Sequence, residues 1–257
     1  MKKTLVLLFV ALSFVSNAQF KNVNEAINVA GRQRMLSQKI AKAFLLISAD
    51  INTEKYQNEL DNSLALFEES HQLLRSYCEE KSELNSAMES VEELWYNIRE
   101  VAVSTEFKES ESSYLLTNSS HLLKMTNNVV ELLEKSNTTD SDKHKGKLVN
   151  MAGRQRMLTQ KIGLYYIAAY LDISSPEIKP NFEDAVKLFD NSLKELMAEK
   201  EIKTVEITKK LNSVSRNWKF TAKSLNLDGK LKPAIVSISL NNLMKDMNTI
   251  TGWYAAK

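Results

Sequence analysis

The chain repeats one segment of eleven residues almost without change. Residues 30–40 read AGRQRMLSQKI and residues 152–162 read AGRQRMLTQKI, so that only Ser37 and Thr159 differ. Weaker matches continue on the C-terminal side at the same offset of 122 residues. A period of this length predicts a duplicated domain, because solenoid repeats are far shorter.

The composition favours helices in both copies. The 257 residues include only 6 Gly and 3 Pro, whereas the two together average about 12% of residues in proteins. So few turn-forming residues cannot separate the many short strands of a sandwich or barrel. We therefore predict an all-α protein.

Apolar periodicity predicts four helices in each copy, as in an up-down bundle. We expect Asn181 to be the N-cap of the second helix of the second copy, after the breaks at Pro176 and Pro180. The predicted fold is two tandem four-helix up-down bundles docked as an internal pseudo-dimer. The predicted domains are 19–135 and 146–257, joined by a polar linker at 136–145. The predicted helices span 22–49, 54–78, 82–103, 112–135, 146–172, 181–200, 202–226 and 233–256.

The first eighteen residues have the pattern of a cleavable signal peptide. Lys2 and Lys3 precede an apolar run from Leu5 to Val15, and small residues follow up to Ala18. We expect cleavage before Gln19 and a periplasmic or secreted protein, with a retained N-terminal anchor as the alternative. No later stretch is long and apolar enough to predict a membrane span.

The charges are balanced overall but divided between the copies. Without residues 1–18 the chain has 32 basic and 32 acidic residues, so it lacks the basic footprint of a nucleic-acid-binding protein. Residues 19–140 carry a net charge of −8 and residues 141–257 a net charge of +8. We interpret this as attraction between two docked halves; the alternative is simple divergence of two solvated surfaces.

Two arginines of the repeated segment are the main candidates for a binding site. Arg34 and Arg156 each share a helix face with small residues, including Gly31 and Gly153. No acidic residue lies between positions 25 and 50, or between 142 and 172, so no carboxylate of the same helix can pair with them. If they are buried they need an anionic partner. That partner is either a glutamate of another helix or a bound planar oxyanion; the glutamate candidates are Glu89, Glu92 and Glu93.

No constellation of residues predicts an enzyme. The only cysteine, Cys78, has no nearby histidine, and the three histidines lack metal-ligand spacing. The chain has no glycine-rich phosphate loop. We therefore predict no catalysis, no metal and no cofactor.

The segments Ala30–Lys39 and Ala152–Lys161 resemble the signature of the PilJ-type sensory domain. This domain is the N-terminal periplasmic part of type IV pili methyl-accepting chemotaxis transducers and is related to the nitrate/nitrite sensor domain of NarX-type histidine kinases. The resemblance implies a four-helix bundle that senses small molecules outside the cell. It also implies that Arg34 and Arg156 bind an anion where two first helices meet, and that Gly31 and Gly153 allow a close approach.

The remaining candidate ligand-binding residues come from the same segments. Gln38 and Gln160 share the helix face of the arginines, whereas Arg32 and Arg154 have no counterpart in the nitrate sensors. Those sensors have a second arginine where this chain has lysine, at Lys39 and Lys161, so the resemblance does not fix the anion.

We therefore expect an exported sensory protein that binds a nitrate-, nitrite- or carboxylate-like anion between the first helices of its repeats. Because the sequence shows no kinase or methyl-accepting region, an envelope sensor or transducer protein would receive the signal. The alternative is a helical interaction module that binds no ligand and docks on an envelope partner.

Overall fold

The computed structural model describes residues 20–104, 107–202 and 204–256. Within these ranges all regular secondary structure is helical, which confirms the all-α prediction. The predicted signal peptide at 1–18 lies outside the described residues. The eight helices are α1 (Val23–Ser48), α2 (Thr53–Cys78), α3 (Ser82–Ala102), α4 (Glu109–Lys135), α5 (Asp140–Tyr170), α6 (Ile178–Ala198), α7 (Val205–Ala222) and α8 (Pro233–Ala255).

The helices form two bundles with the same order of contacts. Helix α1 packs on α2 and α4, and α3 completes the first bundle by packing on both of these. In the second bundle α5 packs on α6 and α8, and α7 packs on both. No helix in the described part of the chain combines the length and apolar character that crossing a bilayer requires.

Helices α1 and α5 form the interface between the bundles. They share the most extensive contact of any helix pair, and α4·α5 and α1·α8 contacts flank it. Twenty of the 26 residues of α1 are buried, because this helix faces its own bundle on one side and α5 on the other. The repeated segment therefore lies at the centre of the molecule.

The aromatic core shows that the two bundles repeat the same packing. Trp95 stacks on Phe67 at 3.9 Å between ring centroids and donates a hydrogen bond from Nε1 to Glu68. In the second bundle Trp218 packs on Phe189 at 4.1 Å and donates from Nε1 to Asp190. Trp95 and Trp218 are therefore equivalent positions, one residue out of phase with the main offset.

Helix α5 begins six residues earlier than the sequence predicts. The sequence predicts a linker at 136–145, but α5 starts at Asp140. Thr139 is its N-cap and accepts a hydrogen bond from the backbone N–H of Asp142 at 3.1 Å. The acidic and hydroxyl residues that resemble a linker in the sequence are thus the cap and first turn of a helix, where their oxygens satisfy free N–H groups.

The start of α6 and the break before α7 also differ from the prediction. Helix α6 begins at Ile178, so Pro180 lies in its first turn, where a missing N–H has little cost. Asn181 is not the N-cap; its side chain donates to the carbonyl of Glu177 instead. Helix α7 begins at Val205, where Thr204 caps it by accepting from the N–H of Ile207.

The resolved ion pairs of the described residues do not join the oppositely charged halves across the α1–α5 interface. Among the described residues, the ion pairs whose partners are resolved join two residues of the same bundle. The expectation that charge attraction docks the halves is therefore not supported by ion pairs, and the interface is held by apolar contacts and hydrogen bonds. The pairs between different helices are Lys42–Glu59, Arg75–Glu89, Arg75–Glu92, His144–Glu199, Lys179–Asp228 and Lys210–Asp246, with His144–Glu201 joining α5 to the segment after α6.

Candidate functional site

Arg34 of α1 and Arg156 of α5 are buried at the centre of the interface. Each residue is only 1% exposed to solvent. Both follow a buried glycine by three positions, Gly31 and Gly153, so each guanidinium lies over the turn that contains a residue without a side chain. The repeated segment thus places two large cationic side chains in an otherwise closely packed interface.

The two guanidinium groups face each other. A Cβ atom built on Gly31 would lie 3.2 Å from Nη2 of Arg34 and 3.3 Å from Nη2 of Arg156. A Cβ built on Gly153 would lie 3.2 Å from Nη2 of Arg156 and 3.5 Å from Nη2 of Arg34. Both Nη2 groups are therefore close to the same two points, and the glycines provide the space in which they approach.

The hydrogen-bond partners of the two arginines are neutral. Nη1 of Arg34 donates to Oδ1 of Asn127 on α4 at 2.8 Å, and Nη1 of Arg156 donates to Oδ1 of Asn248 on α8 at the same distance. Nη2 of Arg156 also donates to the backbone carbonyl of Asn28 at 3.1 Å. The arrangement repeats in both bundles, since α4 and α8 are equivalent helices.

Several guanidinium N–H groups remain without an acceptor among the described residues. These are Nε and Nη2 of Arg34 and Nε of Arg156, all buried. The three glutamates that were candidate partners lie elsewhere: Glu89 and Glu92 lie 3.8 and 3.7 Å from Arg75, and Glu93 is exposed on the outer side of α3. Because a buried donor that lacks an acceptor is costly, the site favours an added acceptor.

Burial and like charges lower the pKa of both arginines. The pKa of Arg34 falls to about 10, mainly through desolvation and next through the nearby Arg154, while Glu134 and Glu131 oppose the fall. The pKa of Arg156 falls to about 9, through desolvation and then through Arg32 and Arg34. Both side chains are still cationic at pH 7, so the centre of the interface holds positive charge that is only partly compensated.

The two extra arginines lie at the margin of this cluster. Arg32 is half-buried, and its pKa is lowered by desolvation against the attraction of Glu69. Arg154 is exposed. The positive charge of Arg154 lowers the pKa of Arg34, and that of Arg32 lowers the pKa of Arg156. Both therefore keep the electrostatic potential at the site positive.

The two glutamines make hydrogen bonds away from the arginine pair. Nε2 of Gln38 donates to the carbonyl of Ser119 on α4 at 2.9 Å. Oε1 of Gln160 accepts from Nζ of Lys42 at 2.6 Å. Both side chains are fully buried, and these bonds hold them to α4 and Lys42.

Lys42 is a buried cation that the sequence analysis missed. Its Nζ donates to Gln160 and to Oδ1 of Asn241 at 2.7 Å, and it lies 3.1 Å from Oε1 of Glu59. Three acceptors therefore surround the ammonium group, and the side chain has no exposed surface. Gly163 makes the room, since a Cβ there would stand 3.0 Å from Cδ of Lys42.

This lysine makes the interface asymmetric. At the offset of 122 residues the equivalent of Lys42 is Leu164, and the equivalent of Gly163 is Ala41. A lysine in a stretch without acidic residues was visible in the sequence. Its partners were not, because Gln160 and Asn241 lie 118 and 199 positions away.

The arginine pair offers cationic hydrogen-bond donors, and the described residues around it include no group suited to proton transfer or nucleophilic attack. The arginines stay charged near neutral pH, and Cys78 is buried with its pKa raised by desolvation. Within residues 20–104, 107–202 and 204–256 no group of His, Cys, Asp or Glu is arranged to hold a metal ion.

The structure thus has two four-helix bundles that meet at their first helices, with an arginine from each at the contact. The chain belongs to the PilJ family, described as the N-terminal domain of type IV pili methyl-accepting chemotaxis transducers, which matches at residues 15–120 and again at 137–236. No curated protein and no solved structure matches the chain. The two matched ranges confirm the tandem duplication, and membership indicates a sensory role in a family of transducer domains.

Proposed function

We propose that this protein senses a small oxyanion, which binds between α1 and α5 and is held by Arg34 and Arg156. One observation carries the proposal: two buried guanidinium groups face each other, and several of their N–H groups lack an acceptor. Two like charges in a desolvated interface are unfavourable unless an anion compensates them.

The geometry favours a small, planar anion. A guanidinium is flat and presents paired N–H donors that match two oxygens of a nitrate, nitrite or carboxylate group. The Nη2 groups lie within 3.5 Å of both glycine Cβ positions, so little space separates them. The anion would accept hydrogen bonds from one arginine of each bundle and so link the two halves.

We further propose that the protein acts outside the cytoplasm and passes its signal to an envelope transducer. Membership of a transducer-domain family supports the second point. The basic, apolar and small residues of positions 1–18 support the first. N-terminal sequencing of the protein from the periplasmic or secreted fraction tests this: a chain that begins at Gln19 is expected, whereas an intact Met1 would contradict export by cleavage.

Thermal unfolding with sodium nitrate, nitrite, formate or acetate tests the anion site, with sodium chloride at equal ionic strength as reference. A ligand at about a hundred times its Kd stabilises the folded state by about 2.7 kcal/mol. For a chain of this size we expect the Tm to rise by about 5–10 °C at that concentration, and to increase further with the logarithm of the ligand concentration.

The variant Arg34→Met/Arg156→Met identifies the groups responsible. Without ligand it should be no less stable than the wild type, because it replaces two desolvated charges by apolar side chains of similar length, and it should lose the anion response. Arg75→Met is the matched control, since Arg75 already pairs with Glu89 and Glu92, and it should keep the response.

The proposal fails if no oxyanion raises the Tm above the chloride reference, or if the double variant responds as the wild type does. If no anion binds and the double variant is also destabilised, the arginines are structural and the protein is an interaction module.

A further inference from the structure

The outer helices of the two halves carry opposite net charges. Residues 53–102, which include α2 and α3, contain twelve acidic and four basic residues, a net charge of −8. Residues 205–232, which include α7 and the loop after it, contain seven basic and two acidic residues, a net charge of +5. The acidic charge of the first half therefore lies on its outer helices. The positive charge of the second half is divided between residues 205–232 and residues 141–170 of α5, which also carry a net charge of +5.

Helix α3 presents an acidic outer face. Glu89, Glu93, Tyr96 and Glu100 follow one another at three- and four-residue steps and are exposed. The ring of Tyr96 is 66% exposed, an unusual position for an aromatic side chain. The opposite side of α3 is buried in the first bundle.

Helix α7 presents a basic outer face. Exposed residues at three- and four-residue steps give this face four positive charges and one aromatic ring, and the acidic residue of the helix, Glu206, lies in its first turn. Phe220 is 74% exposed and Val205 is 64% exposed. The basic residues of the face are Lys209, Arg216, Lys219 and Lys223.

The two faces carry opposite charges at equivalent positions. Glu93 lies two residues before Trp95, and Arg216 lies two residues before the equivalent Trp218. Glu100 lies five residues after Trp95, and Lys223 lies five residues after Trp218. The charge at each of these equivalent sites is therefore reversed between the bundles.

Both faces are available for a partner. Among the described residues, α3 contacts only α1, α2 and α4, and α7 contacts only α6 and α8, so each lies away from the interface between the bundles. The resolved ion pairs leave Glu93, Glu100, Arg216 and Lys223 unpaired, and of these two faces only Glu89 shares an ion pair, with Arg75 at 3.8 Å.

We propose that a second copy of this chain docks through these faces, with the acidic α3 face of one molecule on the basic α7 face of the next. A twofold pairing of two α3 faces or two α7 faces would oppose like charges, whereas the head-to-tail arrangement pairs opposite charges and the two aromatic rings. Because each docked molecule keeps one free face, further molecules add head to tail and build chains or closed rings larger than a dimer.

Sedimentation velocity of the purified protein over a range of concentrations tests this. At about 0.01 M salt, where the Debye length is about 30 Å, we expect the average sedimentation coefficient to rise steadily with concentration. At about 1 M salt, where the Debye length is about 3 Å, only the monomer should remain.

Two variants, each lacking one face, make the test specific. Glu93→Gln/Glu100→Gln and Arg216→Gln/Lys223→Gln should each weaken self-association by about tenfold or more, because each loses two charge pairs. Mixed together, they should form a 1:1 dimer that does not grow, since the intact α7 face of the first fits the intact α3 face of the second. Lys124→Gln/Lys135→Gln on α4 is the matched control and should associate like the wild type.

A protein that stays monomeric at every concentration in low salt overturns the proposal. So does association that the variants leave unchanged, or a twofold dimer that does not grow. Binding of the basic face to vesicles of anionic lipid without self-association would also overturn it and would assign the α7 face to a membrane surface instead.

Discussion

The positions of Arg34 and Arg156 depend on two glycines and on the packing of each arginine against the first helix of the opposite bundle. Each guanidinium lies where the opposite bundle has no Cβ, and each is fixed by one asparagine of its own bundle. Neutral partners orient the cations without neutralising them, which leaves their charge for a ligand. This is the physical basis of the proposed sensing role.

At the scale of single residues, we expect Gly31 and Gly153 to affect anion binding more than the free energy of unfolding. In Gly31→Ala/Gly153→Ala the new methyl groups would stand 3.2–3.5 Å from guanidinium nitrogens of both arginines, so the side chains must move by a few tenths of an ångström. We expect the Tm response to the oxyanion to be lost, while the free energy of unfolding without ligand changes by less than about 2 kcal/mol, since alanine favours the helix.

Gly252→Ala is the matched control, because a Cβ at Gly252 meets nothing within 4 Å. It should gain up to about 1 kcal/mol of stability and keep the anion response. A double glycine variant that still responds would show that the close approach of the arginines does not form the site.

The Lys42–Glu59 pair predicts a specific pH dependence. Burial acts to raise the pKa of Glu59, but Lys42, with Lys39 and Lys55, outweighs it, so the pKa lies below 4.5. Burial lowers the pKa of Lys42 to about 8, and the pair is thus ionised at pH 7. The stability that Glu59 contributes is present above pH 4.5 and is lost as the pH falls through its lowered pKa.

Glu59→Gln should therefore reduce the free energy of unfolding by about 3 kcal/mol at pH 7, because it leaves a buried lysine without its counter-charge. The difference from the wild type should shrink as the pH falls from 4.5 through the lowered pKa of Glu59, because the wild-type carboxyl becomes neutral there. Urea unfolding at several pH values measures both. Exposed Glu54 is the control, and Glu54→Gln should change stability by less than about 0.5 kcal/mol; a constant difference across pH would contradict the pairing.

The arginines and glycines could be singled out from the sequence as candidate site residues, because they lie in a segment that occurs twice in the chain. Asn127, Asn248 and Lys42 could not be assigned in this way, because their roles depend on helices far apart in the chain. Arg34 and Asn127, for example, are 93 positions apart. Only the packing of α4 on α1 makes them neighbours.

At the scale of the elements, the sequence predicts eight helices and most of their ends, since apolar periodicity reports burial. The largest error is the start of α5, because threonine and aspartate in a row suit a linker and a helix cap equally well. The choice depends on tertiary packing: Gly146 and Leu148, early in α5, are already buried.

The cap of α5 gives a direct test at this scale. Thr139→Ala removes the oxygen that accepts from the N–H of Asp142 and should cost about 1 kcal/mol in urea unfolding. Thr138→Ala, one residue earlier at an exposed position outside the helix, should have little effect. Equal effects of the two variants would place the start of the helix elsewhere.

For the whole molecule, the contact of α1 with α5 implies that the two bundles unfold together. Helix α1 is buried on both sides, so the loss of the second bundle would expose much of the core of the first. Scanning calorimetry should show one transition whose calorimetric enthalpy equals the van't Hoff enthalpy. Two separated transitions would show that the bundles are independent and that the site between them is not rigid.

The measurement that tests the central claim most directly is a titration of the arginine side-chain Nε–H signals by ¹⁵N NMR with the most stabilising oxyanion. The account predicts that the signals of Arg34 and Arg156 move together and saturate with one Kd, because both Nε groups are buried without an acceptor. The signal of Arg75, which pairs with glutamates, should stay in place. If neither central arginine responds, or only surface arginines do, no anion binds between the two bundles.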